Sequence, residues 1–225
     1  LAPDAAIALV ADRLLGPGSF VAERAALAQC SVFRGGFSLE SAEAVLLFPP
    51  GGPDVLEIIH SLRSKSLLRA YTPDGLTGEL RLGMYESIRQ YASSRLAERG
   101  EGAMLAARHA DCYLELARRL SERRGGVEGE LAFRRLALER ENLLAACDNA
   151  LAVTPATPSS LERALGALVA LDPDVTARGP VGITLARLNR TLELAADAEV
   201  DPLLRAEALA VRGRTHHGEG RLAAA

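Results

Sequence analysis

The chain has 225 residues, of which 48% are hydrophobic and only 4% aromatic, with 26 Lys and Arg against 29 Asp and Glu. The net charge of −3 argues against a generally basic nucleic-acid-binding protein, and an apolar content dominated by Leu, Ala and Val favours packed helices over sheets. No apolar run is long enough to span a membrane, no signal peptide is visible and no CxxC pair suggests zinc, so we expect a cytoplasmic protein.

The first forty residues predict helices separated by glycine. Helices are expected over 5–15 and 19–30, the second with Ser19 as its N-cap, because apolar residues recur there at helical spacing and "GPG" separates the two runs. Gly35-Gly36 predicts a turn, after which Ser38 should cap a helix that extends to about Leu47.

A helix followed by a β-hairpin is expected next. Asp54 should cap the helix that begins at Val55, and the stretches 66–71 and 78–83 have strand character on either side of "TPDGLT". Asp74-Gly75 within that loop is a hairpin signal. The second strand leads without proline into a helix from Tyr85 to about Arg99. Helices followed by a hairpin are typical of a winged-helix domain, which we assign to residues 1–101.

The rest of the chain is predicted to be helical, so the fold class is mainly α. A helix is expected over 103–124 and another, straight or kinked into two, over 130–152, and these form a connecting helical hairpin over 102–153. After a linker at 154–160, helical segments are expected over 161–171, 182–198 and 202–225. They predict the start of a tetratricopeptide-like repeat region at 154–225.

Several stretches in fixed order resemble one family. The series resembles the segment after the ATPase core in large bacterial signal-transduction ATPase regulators, the AfsR-, MalT- and LuxR-like proteins related to NB-ARC ATPases. The resemblance covers residues 5–150 best. The stretches are "LAQCSVFRGGFSLESAEAVL", "SLRSKSLLR", "LGMYESIRQYASSRLAERGE", "RHADCYLELA" and "LERENLLAACDNAL".

This resemblance implies a regulatory role next to a nucleotide. In the family a winged helix folds back onto ATP or ADP held by an upstream ATPase domain, and a Met-His-Asp motif at the strand–helix junction touches the phosphate. The matching positions are Met84, Tyr85 and Glu86, with Arg89 a charge partner one turn along the helix. Tyr85 replaces the histidine and cannot carry its positive charge.

The resemblance also implies partners on both sides of the chain. The winged helix would act as a nucleotide-state lid on the upstream ATPase or other signalling domain, and the later helices would relay signals from a protein or small-molecule ligand. No GxxxxGK[ST] occurs in the chain, so it is expected to be non-catalytic and to hold no cofactor itself. Because it begins at Leu1 without Met, we expect a segment of a longer protein.

Two alternatives stay open from the sequence. The first is a DNA-binding winged-helix transcription regulator that would use Arg63, Lys65 and Arg69 against phosphates. The second is a protein-interaction scaffold fused to a signalling enzyme such as a kinase. The histidines of "RTHHGEG" (214–220) predict a solvated turn rather than a metal site, because adjacent residues do not share a helix face. The cysteines Cys30, Cys112 and Cys147 are expected to be buried thiols.

Overall fold

The computed structural model describes residues 21–123, 125, 128–179 and 181–218. These residues are mainly helical, with one two-stranded antiparallel sheet, which confirms the mainly-α class. The helix predicted over 5–15 and the cap predicted at Ser19 lie outside the described residues.

The described chain divides into two units between His109 and Ala110, within the fifth helix. The predicted domain bounds 1–101, 102–153 and 154–225 stay predictions. The elements are α1 (Val21–Cys30), α2 (Leu39–Val45), α3 (Val55–Ser64), β1 (Arg69–Tyr71), β2 (Arg81–Gly83), α4 (Glu86–Arg99), α5 (Gly102–Glu122), α6 (Gly129–Leu138), α7 (Arg140–Leu151), α8 (Pro158–Arg178), α9 (Val181–Leu194) and α10 (Pro202–Gly218).

Side-chain caps start α2 and α3, as the sequence predicts. The Ser38 hydroxyl accepts a hydrogen bond from the Ser41 N–H at 3.1 Å, and the Asp54 carboxylate accepts one from the Leu56 N–H at 2.7 Å. Each bond satisfies a backbone donor that the first helical turn leaves without an internal partner. Local residue chemistry alone therefore sets where both helices begin.

The hairpin is present, with shorter strands than predicted. β1 and β2 pair in the register Arg69↔Gly83, Ala70↔Leu82 and Tyr71↔Arg81. The turn at Asp74-Gly75 is confirmed, since the Leu76 N–H donates to the Pro73 carbonyl at 3.2 Å. Phe37 adds an isolated antiparallel bridge to Leu82, so the chain between α1 and α2 joins the same small sheet.

Residues 66–68 end helix α3 instead of beginning β1. Ser66 has φ +58°, its N–H donates to the Arg63 carbonyl at 2.9 Å, and the Leu67 N–H donates to the Leu62 carbonyl at 3.0 Å. This pair of bonds is a Schellman motif, which normally has glycine at the left-handed position. The motif reverses the chain so that it enters β1 at Arg69.

The core of unit 1 forms where α1, α3, α4 and the sheet meet. Phe33 and Phe37 stack with ring centroids 4.2 Å apart, and His109 meets Phe33 edge-on at 5.7 Å. The buried Gln29 side chain donates to the Leu47 carbonyl and accepts from the Leu47 N–H, at 3.0 and 2.7 Å. The Gln29 side-chain amide thus satisfies the N–H and the carbonyl of Leu47, which lies past the end of α2 and has no helical or strand partner among the described residues.

Two predicted breaks in unit 2 are wrong. Residues 158–160, assigned to a linker, begin α8: Thr157 and Ser160 form a capping box, with Pro158 at the first helical position. Residues 172–178, predicted to stop that helix, continue it with Pro173 inside. The buried Asp174 carboxylate explains the continuation, because Arg140 on α7 pairs with it at 2.9 Å. Arg140 also donates to the Gly179 carbonyl just past the helix.

Two further predictions are resolved in unit 2. The stretch 130–152 forms two helices, α6 and α7, separated at Glu139. The solvated turn predicted over 214–220 is wrong for its described part, because α10 continues to Gly218 and His216 is buried. Helix α10 packs against α8 and α9.

Ser66→Gly should stabilise the protein by about 1 kcal/mol, because glycine has no Cβ penalty in the left-handed conformation. Urea unfolding measures the change. The matched control is Ser93→Gly, at an exposed position inside α4, which should lower stability by about 0.5 kcal/mol. Equal losses in both variants would contradict the Schellman role of Ser66.

Candidate functional site

The junction between β2 and α4 presents an exposed tyrosine beside an arginine. Tyr85 is the N-cap residue of α4, has extended backbone angles and makes no side-chain capping bond. Its side chain is 57% exposed. The Arg69 guanidinium carbon lies 5.4 Å from the centroid of the Tyr85 ring and 5.3 Å from that of Tyr71. The structure therefore brings together a residue predicted to sense nucleotide and one predicted to contact DNA.

The local strand geometry explains this stack. Arg69 and Tyr71 are two residues apart on β1, so their side chains lie on the same face of the sheet. Gly83 is opposite Arg69, and a Cβ on Gly83 would come within 3.4 Å of the Arg69 Nε and of the Tyr71 ring. The Tyr71 hydroxyl is fixed by donating to the Gly35 carbonyl at 2.9 Å. We name Arg69, Tyr71 and Tyr85 the arginine–tyrosine cluster.

Charge at the junction is unbalanced in favour of the cation. Arg89 bonds to both carboxylate oxygens of Glu86, with its Nε at 2.8 Å from Oε2, and Gln90 also donates to Glu86 at 3.2 Å. Glu86 is thus neutralised by its own helix. Arg69 has no carboxylate partner among the described residues, so its charge is held only by the two aromatic rings.

The three cations of the DNA alternative lie in three different environments. Lys65 forms an ion pair at 2.5 Å with Glu23 of α1, whose carboxylate also accepts a hydrogen bond from the Ser61 hydroxyl. Arg63 is exposed. Arg69 belongs to the arginine–tyrosine cluster. The Lys65 charge is therefore already matched by a buried carboxylate and contributes little to an outward-facing basic patch.

The outward face of α3 is not basic. Its exposed residues are Leu56, which is 54% exposed, Glu57, His60, Arg63 and Ser64. One cation, one carboxylate and one large apolar side chain make a surface with little net charge. Such a surface is suited to protein contact more than to phosphate.

Sequence reasoning placed Tyr85, Glu86 and Arg89 side by side but did not connect Tyr85 with Arg69. The available signal was the alternation of Arg69 and Tyr71 on a strand whose hairpin returns to Tyr85. The register that joins them depends on the nine-residue loop between the strands, whose length and form the Asp74-Gly75 signal does not fix.

A second concave region lies in unit 2. A cavity of about 720 Å³ is lined by α5 from Asp111 onward, by α8 and by α10. Arg163 on α8 bridges to Asp111 on α5 at 2.7 and 3.0 Å, and Arg214 on α10 pairs with Asp172 on α8 at 2.8 Å. We name this cavity the α5–α8–α10 groove.

Two buried cysteines are poor nucleophiles. None of the three cysteines forms a disulfide; Cys30 and Cys147 are buried as predicted, whereas Cys112 is only half-buried. Burial raises the pKa of the Cys30 thiol from 9.0 to about 12, and burial next to Asp148 raises the pKa of Cys147 to about 12. At neutral pH both thiols stay protonated, so neither supplies a reactive thiolate.

A search for a metal site or a membrane span in the described parts of the chain, and for known relatives of the whole chain, gave no positive result. Within them, no group of three or more His, Cys, Asp or Glu side chains could hold a metal ion. No helix there combines the length and apolar character needed to cross a membrane. Comparison of the chain with models of known families, with curated proteins and with solved structures gave no match.

Replacing Lys65 with methionine should lower the free energy of unfolding by about 2–3 kcal/mol, because the buried Glu23 carboxylate would lose its ion pair with Lys65. Arg63→Met is the matched control, since Arg63 is exposed and has no ion pair among the described residues; it should change stability by less than about 0.5 kcal/mol. Urea unfolding compares the two. A small loss in both variants would show that the Glu23–Lys65 pair does not hold α1 against α3.

Stability should fall above pH 9 because of the buried thiols. Below pH 9 the folded and the unfolded state both keep the Cys30 and Cys147 protons. Between pH 9 and about 12 only the unfolded state loses these protons, which lowers the free energy of unfolding. At pH 10 each thiol should cost about 1.4 kcal/mol relative to pH 8. Cys30→Ala and Cys147→Ala should each flatten the decline in urea unfolding. An unchanged slope in both variants would contradict the raised pKa values.

Proposed function

We propose that this chain is a non-catalytic regulatory module of a larger bacterial signalling protein, acting in the cytoplasm. In this proposal the winged helix in unit 1 is a lid over ATP or ADP bound by an ATPase domain, and the helices of unit 2 relay the state of a ligand or protein sensor. The observation that carries it is the arginine–tyrosine cluster, an exposed cation without a carboxylate partner at the β2–α4 junction.

The element order supports the winged-helix assignment. Helix α1, the Phe37 bridge, α2, α3 and the β1–β2 hairpin follow one another, and the bridge joins the first connection to the hairpin sheet. That order agrees with the resemblance seen in the sequence. A fold of this type is compatible with DNA binding or with protein contact, so function has to be argued from the surface residues.

The chemistry of Arg69 supports a phosphate contact at the junction. Tyr85 stands where the resembled family has histidine, and its neutral phenol donates one hydrogen bond. A guanidinium stays charged at every physiological pH and offers a planar fork of donors to phosphate oxygens. Stacking against Tyr71 and Tyr85 reduces the freedom that Arg69 would lose on binding. The arginine thus supplies the positive charge that Tyr85 lacks.

Release of a fluorescent ADP analogue from the full-length protein that contains this chain tests the proposal. Arg69→Ala should speed release by about 10- to 150-fold, since a charged hydrogen bond contributes about 1.5–3 kcal/mol. Tyr85→His should slow release by adding a donor that can carry charge. Arg63→Ala, an equal loss of charge on α3, should leave the rate unchanged. Equal rates for Arg69→Ala and the parent, or no nucleotide bound by the full-length protein, would refute the lid role.

Binding to duplex DNA separates the proposal from the DNA alternative. At 150 mM salt the 225-residue chain should bind a labelled random duplex no more tightly than about 10⁻⁴–10⁻⁶ M, the range of non-specific binding. Fluorescence anisotropy measures it. Tighter, salt-dependent binding that is lost in the Arg63→Ala, Arg69→Ala double variant, which keeps the Glu23–Lys65 pair, would favour the transcription-regulator alternative instead.

A further inference from the structure

The floor of the α5–α8–α10 groove is apolar and combines alanines with branched aliphatic side chains. Leu114, Ala117, Val169, Ala170 and Val211 line it. Gly166 also lines the groove, and a Cβ there would lie 3.1 Å from the Leu114 side chain, so glycine permits the close approach of α8 to that leucine. Small residues leave the floor open enough to accept apolar side chains from outside.

The groove is long enough for a short helix. Its lining residues extend from Asp111 to Ser121 on α5 and from Leu204 to Arg214 on α10. At 1.5 Å per residue each stretch is about 15 Å long. Three turns of a partner helix have a similar length, and a helix laid in a groove is a common form of peptide recognition.

Every arginine of the groove is already paired. Arg163 is held by Asp111 and Arg214 by Asp172. Arg118 bonds to Glu115 at 2.8 Å and also to Glu122; these contacts raise the pKa of Arg118, and the Arg118 guanidinium lowers the pKa of Glu115. An acidic ligand would have to displace one of these carboxylates.

Two carboxylates of the groove form no ion pair among the described residues, although the hydrogen bond with Asp111 and, after it, the charge of Glu162 raise the pKa of the neighbouring Arg163. Glu207 on α10 is exposed and has no ion-pair partner among the described residues. Glu162 on α8 accepts one backbone hydrogen bond, from the Asp201 N–H at 2.9 Å, and likewise has no ion pair within the described chain. The groove therefore combines an apolar floor with a small excess of negative charge, since its lining holds Asp111, Glu162, Asp172 and Glu207 against Arg118, Arg163 and Arg214.

We infer that the α5–α8–α10 groove binds an amphipathic helix of a protein partner, with small apolar residues on one face and Lys or Arg along its flanks. The apolar face covers the floor, and the basic flanks meet Glu162 and Glu207. Charge complementarity selects this partner over an acidic one. The assignment of this helix as the sensor's partner rests on the proposed function, whereas the binding of the helix by the groove does not.

Two synthetic 16-residue helical peptides with the same Ala/Leu face test the inference, one flanked by Lys and the other by Glu. Fluorescence anisotropy with the 225-residue chain should show binding of the Lys peptide, weakening as salt is raised, and clearly weaker binding of the Glu peptide. The double variant Glu162→Gln, Glu207→Gln should weaken binding of the Lys peptide about fivefold. Glu141→Gln, at an exposed acid outside the groove, should leave it unchanged.

A variant that fills the groove distinguishes binding within it from non-specific attraction of the Lys peptide to a negatively charged protein. Ala210 is exposed and lines the groove, so Ala210→Arg should fold normally and abolish binding of the Lys peptide. Equal affinity for both peptides, or Lys-peptide binding that survives Ala210→Arg, would overturn the inference. Self-association of the chain that Ala210→Arg removes would also overturn it, by assigning the groove to a second copy. The ADP-release experiment probes Arg69 in unit 1, so the lid and the groove can fail separately.

Discussion

The buried carboxylate of Glu23 joins α1 to the end of α3 in unit 1. It is 6% exposed, so its charge requires a partner inside the protein, and Lys65 and Ser61 supply it from the C-terminal end of α3. This fixes where α3 ends against α1. The Schellman motif then reverses the chain over three residues, and Arg69 becomes the first residue of β1. The position of Arg69 therefore depends on the ion pair that Lys65, four residues earlier, makes with Glu23. The same pair withdraws Lys65 from the surface that a DNA-reading helix would present.

Local sequence chemistry predicted the starts of elements better than their ends. Ser38 and Asp54 cap α2 and α3 because each places a side-chain oxygen where it can accept a hydrogen bond from a backbone N–H of the first helical turn. The same logic identifies Thr157 as a cap, whereas the proline and serine around it favour a linker. Pro173 predicts a helix stop because proline removes a helical hydrogen bond. That cost is outweighed by the buried Asp174–Arg140 pair, a tertiary contact across 34 residues that no local window contains.

The candidate junction was predictable only in part for the same reason. Tyr85, Glu86 and Arg89 lie within one helical turn, and the Glu86–Arg89 pair follows from their three-residue spacing. Arg69 reaches Tyr85 through a hairpin register that sequence does not fix. Residue spacing predicts that Arg63 and Lys65 lie on a helix and Arg69 on the strand after it, but it does not predict how the chain turns between them. Ser66 takes the left-handed conformation at that turn, and the three side chains end in different environments.

In the proposed mechanism, binding of a helix to the groove would have to supply enough free energy to shift the lid between two states. A ligand that moves a two-state equilibrium from 1:99 to 99:1 must favour one state by about 5.5 kcal/mol. Exposed ion pairs contribute about 0.2–1 kcal/mol each, so Glu162 and Glu207 together fall well short of that. Burying about 150–200 Å² of apolar surface would add about 4–5 kcal/mol. On this reasoning the carboxylates select the partner, while the apolar floor supplies most of the free energy by which a bound helix could alter nucleotide affinity. By linkage the nucleotide would then alter the affinity for the helix by the same factor.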